Sequence, residues 1–115
     1  MFKNYCVKMT TQAEEQLRDI LYYISSTLNA PDASFRVLSI LENAICSLSD
    51  FPERIPIISE LNWFQYEIHK MSVKQFLLYF WIDEYHDTVF ILAIVYASRD
   101  QMEVLDSITL WFDFE

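Results

Sequence analysis

The chain has 115 residues, no glycine and a formal net charge of −9 at pH 7. One domain is the expectation at that length, and a surface so acidic repels phosphate, which argues against direct nucleic-acid binding. No glycine means no phosphate-cradling loop of the usual kind, and no apolar run approaches the roughly 18 residues of a membrane span, so nucleotide-binding folds and membrane insertion are disfavoured.

The charge is unevenly placed. Residues 1–57 hold five basic and seven acidic side chains, net −2, whereas residues 58–115 hold three and ten, net −7. With 53% hydrophobic and 17% aromatic residues, so small a domain has more apolar surface than its interior can bury, which favours a partner chain or self-association. The opening MFKNYCVKMTT lacks the apolar core and small-residue cleavage site of a signal peptide and predicts a cytoplasmic protein. Cys6 and Cys46 then read as buried apolar side chains, not a disulfide. No CxxC or Cys/His cluster suggests a metal, and no cofactor is expected.

In chain order, Asn4–Met9 alternates Tyr5, Val7 and Met9 against Asn4, Cys6 and Lys8, a short strand with one buried face. Thr11 and Glu14 have capping-box spacing and open a helix to about Ser26–Leu28, with Ala13, Leu17, Ile20 or Leu21, and Ile24 on one stripe. Pro31 and Asp32 suit the first turn of a second helix. Its apolar stripe would be Phe35, Leu38, Leu41, Ile45 and Leu48, ending near Ser49. The proline-containing Asp50–Glu60 is a loop. From Asn62 the period becomes two, with Phe64, Tyr66 and Ile68 against Gln65, Glu67 and His69, a strand with a wet face. Two nearly unbroken apolar runs follow, Phe76–Ile82 and Val89–Tyr96, separated by the polar insert Asp83–Thr88. Runs of this length, rich in β-branched and aromatic residues, predict central strands buried on both faces and joined as an antiparallel hairpin. A short helix to about Ile108 and an acidic aromatic tail, 108–115, close the chain. The order β-α-α-β-β-β predicts an α+β domain, a helical hairpin packed on a mostly antiparallel four-stranded sheet, with the first strand's partner left open.

The stretches YCVKMTTQAEEQLRDILYYISSTL, ASFRVLSILENAICSLSDFPERIP, IHKMSVKQFLLYFWIDE and VFILAIVYASRD resemble, in order and spacing, the RelE/ParE family of toxins from bacterial type II toxin–antitoxin systems, on its ParE-like branch. The resemblance covers about residues 5–107. It implies a toxin neutralised by a cognate antitoxin that wraps it. Some members cleave messenger RNA in the ribosome, and others inhibit DNA gyrase without being enzymes.

Departures from the family pattern bear on which. Ile68-His69-Lys70 stands where an Ile-Arg-Lys is common, Trp81 where an arginine follows the third strand's aromatic end, and Ala93 and Ser98 in a last strand that is usually arginine-rich. Neither alanine nor tryptophan replaces a guanidinium that binds phosphate bidentately. A gyrase-like protein target therefore suits the sequence better than RNA. The alternatives are a ribosome-dependent mRNA endoribonuclease and a degenerate scaffold that only binds an antitoxin, for which arginine restored at His69, Trp81 and Ala93 is the test.

Candidate catalytic residues under the resemblance are His69, placed on the wet face and able to act as a general acid or base, with Tyr96 and Arg99. Lys70 and Lys74 are the candidate target-contacting residues. His86, beside Asp83 and Asp87, reads as part of a solvated loop, and no pair of carboxylates is brought together by any sequence motif.

Overall fold

The two apolar runs form the middle of the sheet. The computed structural model describes residues 4–58, 67–98 and 103–108. Its strands are β1 (Cys6–Met9), β2 (His69–Val73), β3 (Phe76–Asp83) and β4 (Thr88–Tyr96), in the order β1-β4-β3-β2. β2, β3 and β4 are antiparallel neighbours, and β1 joins β4 in parallel, Val7 opposite Val89 and Met9 opposite Ile91. Because β3 and β4 are both internal, Phe76–Phe80 and Ile91–Val95 are buried without a break. That absence of alternation is the mark of a strand covered on both faces.

One face is covered by the helices α1 (Thr11–Tyr22) and α2 (Pro31–Ser47), with Ala13, Ile20, Leu41 and Leu48 packed on Phe76, Leu78, Phe80 and Ile91. A helical segment at 103–108 covers the other, its Val104, Leu105 and Ile108 clustering with Ile58, Ile68, Tyr79 and Leu92. The α+β architecture expected from sequence is the one observed.

Helix α1 begins one residue earlier than its spacing suggested. Thr10, not Thr11, is the cap: its Oγ1 accepts from Ala13 N at 3.2 Å. The same hydroxyl donates to Leu92 O at 3.4 Å, and Gln16 Oε1 accepts from Ile94 N at 2.9 Å. β1 stops opposite Ile91, so these two side chains serve backbone groups on β4 that have no neighbouring strand there. The end of α1 widens into a π-turn at Tyr23–Thr27, and Asn29 takes a left-handed φ of 52° before Pro31 starts α2.

Other local expectations shift as well. Phe35 is 70% exposed, whereas Leu41, Ile45 and Leu48 of the expected stripe do pack on the core, joined there by Ala33, Val37, Ile40 and Ala44. Cys6 and Cys46 are both exposed free thiols, so neither is an apolar core residue. β2 starts only at His69, because Glu67 has a φ of 52° and breaks the extended run before it. The proposed strand residues 62–66 lie outside the described residues.

Candidate functional site

His69 is where the structure departs furthest from the sequence reading. It is only 6% exposed. β2 is an outer strand, but its first residues are covered by the preceding loop: Ile57 bridges to His69, and Lys70 N donates to Pro56 O at 3.3 Å. The imidazole stacks on Phe80, opposite it on β3, with centroids 4.8 Å apart and 6° between planes. Its Nδ1 lies 2.6 Å from Ile55 O. A carbonyl can only accept, so Nδ1 bears a proton and donates it to Ile55 O.

His69 also lines a cavity of about 340 Å³ at the end of the sheet, together with Glu53, Ile55, Glu67, Ile82 and Glu84. Two of these carboxylates meet at one hydroxyl. Tyr5 Oη lies 2.8 Å from Glu53 Oε2 and 3.1 Å from Glu84 Oε2. Burial, and then the two carboxylates, raise the Tyr5 phenol above its ordinary range, so it stays a donor throughout neutral pH. The sequence showed no such pairing. Tyr5 is 48 residues from Glu53 and 79 from Glu84. The bridge of Asn4 to Asp50 and the bond from Tyr5 N to Ser49 O bring it to the loop of Glu53, and the parallel docking of β1 beside β4 brings it to Glu84 at the end of β3.

The remaining candidates do not converge on this cavity. Lys70, opposite Tyr79, points to the other sheet face from His69. Lys74 is exposed in the two-residue turn between β2 and β3, with a φ of 56°. Tyr96 ends β4 on the helical face, tilted against Phe76 at 5.0 Å, beside a smaller cleft of about 170 Å³ shared with Gln16, Asp19 and Tyr23. Burial, then the nearby Tyr23, raise its phenol too. His69 shares a row with Phe80, and Tyr96 shares one with Phe76. Those rows are four residues apart, about 13 Å along the strands. Arg99 lies outside the described residues. His86 is exposed as expected, its Nδ1 2.7 Å from Asp83 Oδ2, and that hydrogen bond foremost lowers the Asp83 carboxyl.

Of the positions where the resemblance leads one to expect arginine, Ala93 is fully buried opposite Tyr79, and Trp81 is half-buried and stacked with Phe90 at 6.1 Å. Lys70, Tyr79, Trp81 and Ala93 share the sheet face opposite the helical hairpin, and its character is aromatic.

A family model described as "ParE toxin of type II toxin-antitoxin system, parDE" matches residues 7–101, and the chain belongs to that family. Two solved structures share the fold. The "Chromosomal ParDE TA system from P. aeruginosa" superposes with a TM-score of 0.65 at 16% identity, covering 82% of this chain and 97% of that one. The toxin–antitoxin complex RelBE2 from Mycobacterium tuberculosis gives a TM-score of 0.54 at 26% identity, covering 81% and 91% respectively. No curated protein matches by sequence. Among the described residues, no helix is long and apolar enough to cross a membrane.

Proposed function

We propose that this chain is the growth-inhibiting partner of a plasmid-stabilisation-type pair, acting in the cytoplasm as a single domain over residues 1–115 and neutralised by a cognate antitoxin. Its target is a gyrase-like protein. The observation that supports a protein target over RNA is the sheet face bearing Lys70: Tyr79 and Ala93 are fully buried there and Trp81 half-buried, so no guanidinium stands at these positions to hold phosphate. RNA cleavage needs groups that hold phosphate and stabilise transition-state charge. The residues the family suggests for that role, His69 and Tyr96, stand in rows four residues apart, about 13 Å along the strands.

An antitoxin has an apolar surface to cover. Tyr22, Tyr23, Leu28 and Phe35 are all exposed at one end of the helical hairpin, a cluster that a lone domain rarely leaves to water. Both solved relatives come from systems that pair a toxin with an antitoxin.

Induced expression of the chain is expected to arrest growth, and co-expression of the small protein encoded beside it to relieve the arrest. Purified chain should inhibit gyrase supercoiling and leave messenger RNA uncut in primer extension. Ribosome-dependent cleavage would favour the endoribonuclease alternative, resting on His69, Tyr96 and Arg99. A stable complex with the neighbouring protein but no arrest would favour the scaffold that only binds an antitoxin, a reading supported by the burial of His69 and Ala93.

A further inference from the structure

We propose that the cleft between α1 and the end of β4 receives one lysine residue from the protein that covers the helical hairpin. At about 170 Å³ the cleft is below the range of small-molecule pockets and suits a single side chain. Its apolar lining includes Ile20 and Val95, and its polar groups come from Gln16, Asp19, Tyr23 and Tyr96.

Asp19 supplies the charge. Its carboxylate is exposed and has no hydrogen-bond or ion-pair partner among the described residues, and no cation lines the cleft among them. The Tyr23 and Tyr96 hydroxyls likewise have no hydrogen-bond partner among the described residues. A phenol offers an ammonium both an acceptor oxygen and the negative face of its ring. A compact ammonium with three donors matches one carboxylate and two phenols in so small a space, where the planar guanidinium fork is wider.

The backbone at the end of β4 asks for a peptide and not a free amine. Gln16 Oε1 accepts from Ile94 N at 2.9 Å, which leaves its Nε2 as a donor. Ala97 N turns toward β3 and donates to Gln75 O at 2.8 Å, so Tyr96 N–H, one residue earlier, faces the same side as Ile94 N. β1 stops opposite Ile91 and does not reach it. Tyr96 N–H therefore has no strand neighbour and no partner among the described residues. Two N–H groups are left to meet one carbonyl, beside the apolar side chains that would hold an aliphatic stem. A lysine within a peptide supplies the carbonyl, the stem and the ammonium together.

That the lysine belongs to an antitoxin rests on the function proposed above. Tyr23 lines the cleft and is also part of the exposed apolar end of the hairpin, so a chain that covers that end reaches the cleft. The preference for lysine does not rest on that reading.

The probe is N-acetyl-lysine methylamide, titrated into the isolated chain while the Tyr96 amide and the Gln16 side-chain amide are followed by NMR. The arginine and norleucine analogues are the controls. The lysine probe should move both resonances saturably, the arginine analogue more weakly and the norleucine analogue not at all. Asp19→Asn, an exposed change that leaves the core intact, should weaken the titration about fivefold. Equal shifts with norleucine, or an undiminished response in Asp19→Asn, would overturn the cationic site, as would unmoved resonances. The same shifts appearing in the free chain as its concentration is raised would mean that a second copy fills the cleft, and would overturn the assignment to a different protein. A saturable shift in a chain that arrests no growth would keep the site and sink the toxin reading. With the neighbouring protein bound, the probe should no longer move Tyr96. If it still does, the lysine comes from elsewhere and the assignment to the antitoxin fails.

Discussion

Arg54 reaches back to Ser47, where Nη1 donates to the carbonyl oxygen at 3.3 Å and Nη2 to the hydroxyl at 3.0 Å. Nη1 also serves Asp50 O at 2.6 Å and Phe51 O at 3.0 Å. One guanidinium thus serves the last carbonyl of α2 and two carbonyls of the loop that follows, at a helix end where carbonyls lack an intrahelical donor and the helix dipole favours a cation. The Leu-x-x-Phe-Pro-x-Arg stretch that ends in Arg54 is a helix stop. Arg54→Ala is expected to cost about 1 kcal/mol, modest because the group is exposed. Arg54→Lys should restore less than half of that, since an ammonium cannot span the same acceptors. Urea titration checks both, with the slope unchanged and the midpoint lowered.

Lys74 occupies the turn of the β2–β3 hairpin with a φ of 56°. A left-handed conformation costs a non-glycine residue about 1–2 kcal/mol. Glycine escapes that cost but loses about 0.5–1 kcal/mol through its freer unfolded chain. Lys74→Gly should therefore stabilise the protein by about 0.5 kcal/mol, and Lys74→Val should destabilise it by at least about 1 kcal/mol. The same variant tests the residue's role. A higher melting temperature with weakened growth arrest would assign Lys74 to target contact, and unchanged arrest would remove it from the site.

How much of this was legible in the sequence depends on where the chain turns. The β3 and β4 runs were readable because both faces of each strand are buried and the apolar pattern has no gaps. His69 was misplaced for two reasons. Glu67 interrupts the strand with a φ of 52°, and the Ile55–Ile57 loop covers the face that alternation assigned to water. In other proteins such a reversal is often flagged by glycine. Here Asn29, Phe51, Glu67, Lys74 and Asp87 all take positive φ in a chain with no glycine, so most of the turns carry no marker. The meeting of Glu53 and Glu84 at Tyr5 depends on β1 lying beside β4, a pairing the sequence left open.

Tyr5 makes stability fall at alkaline pH. Its folded-state pKa is raised, chiefly by burial and then by Glu53 and Glu84, above the ordinary value of 10.0. The contribution of such a group is fully present below the unfolded value and is lost as pH rises toward the folded one. Tyr96 shifts in the same direction. The wild-type melting temperature should hold between about pH 7 and 9 and drop steeply above about pH 10. Tyr5→Phe should melt lower at neutral pH, by about 1–2 kcal/mol for a hydroxyl bonded to carboxylates, and show a shallower alkaline decline. An equally steep decline in the variant would place the alkaline loss elsewhere.

Restoring arginine at the family's positions gives three different outcomes, because the three positions have different surroundings. Ala93 is fully buried between β3 and the 103–108 segment, and a guanidinium there has neither space nor solvent. Ala93→Arg is expected to cost more than about 3 kcal/mol, enough to leave much of the chain unfolded. Trp81 is only half-buried, so Trp81→Arg loses its stacking on Phe90, about 1 kcal/mol, and folds. His69 is buried but stands at the edge of the acidic cavity. His69→Arg would forfeit the bond to Ile55 O yet place a guanidinium among Glu53, Glu67 and Glu84, so it should fold with a melting temperature close to that of Trp81→Arg. Thermal melts of the three variants give the ranking, and growth-arrest assays of the two folded ones show whether a cation at either position restores or strengthens toxicity. If Ala93→Arg folded as well as the others, the sheet face that buries Ala93 and Tyr79 would have to be open to solvent.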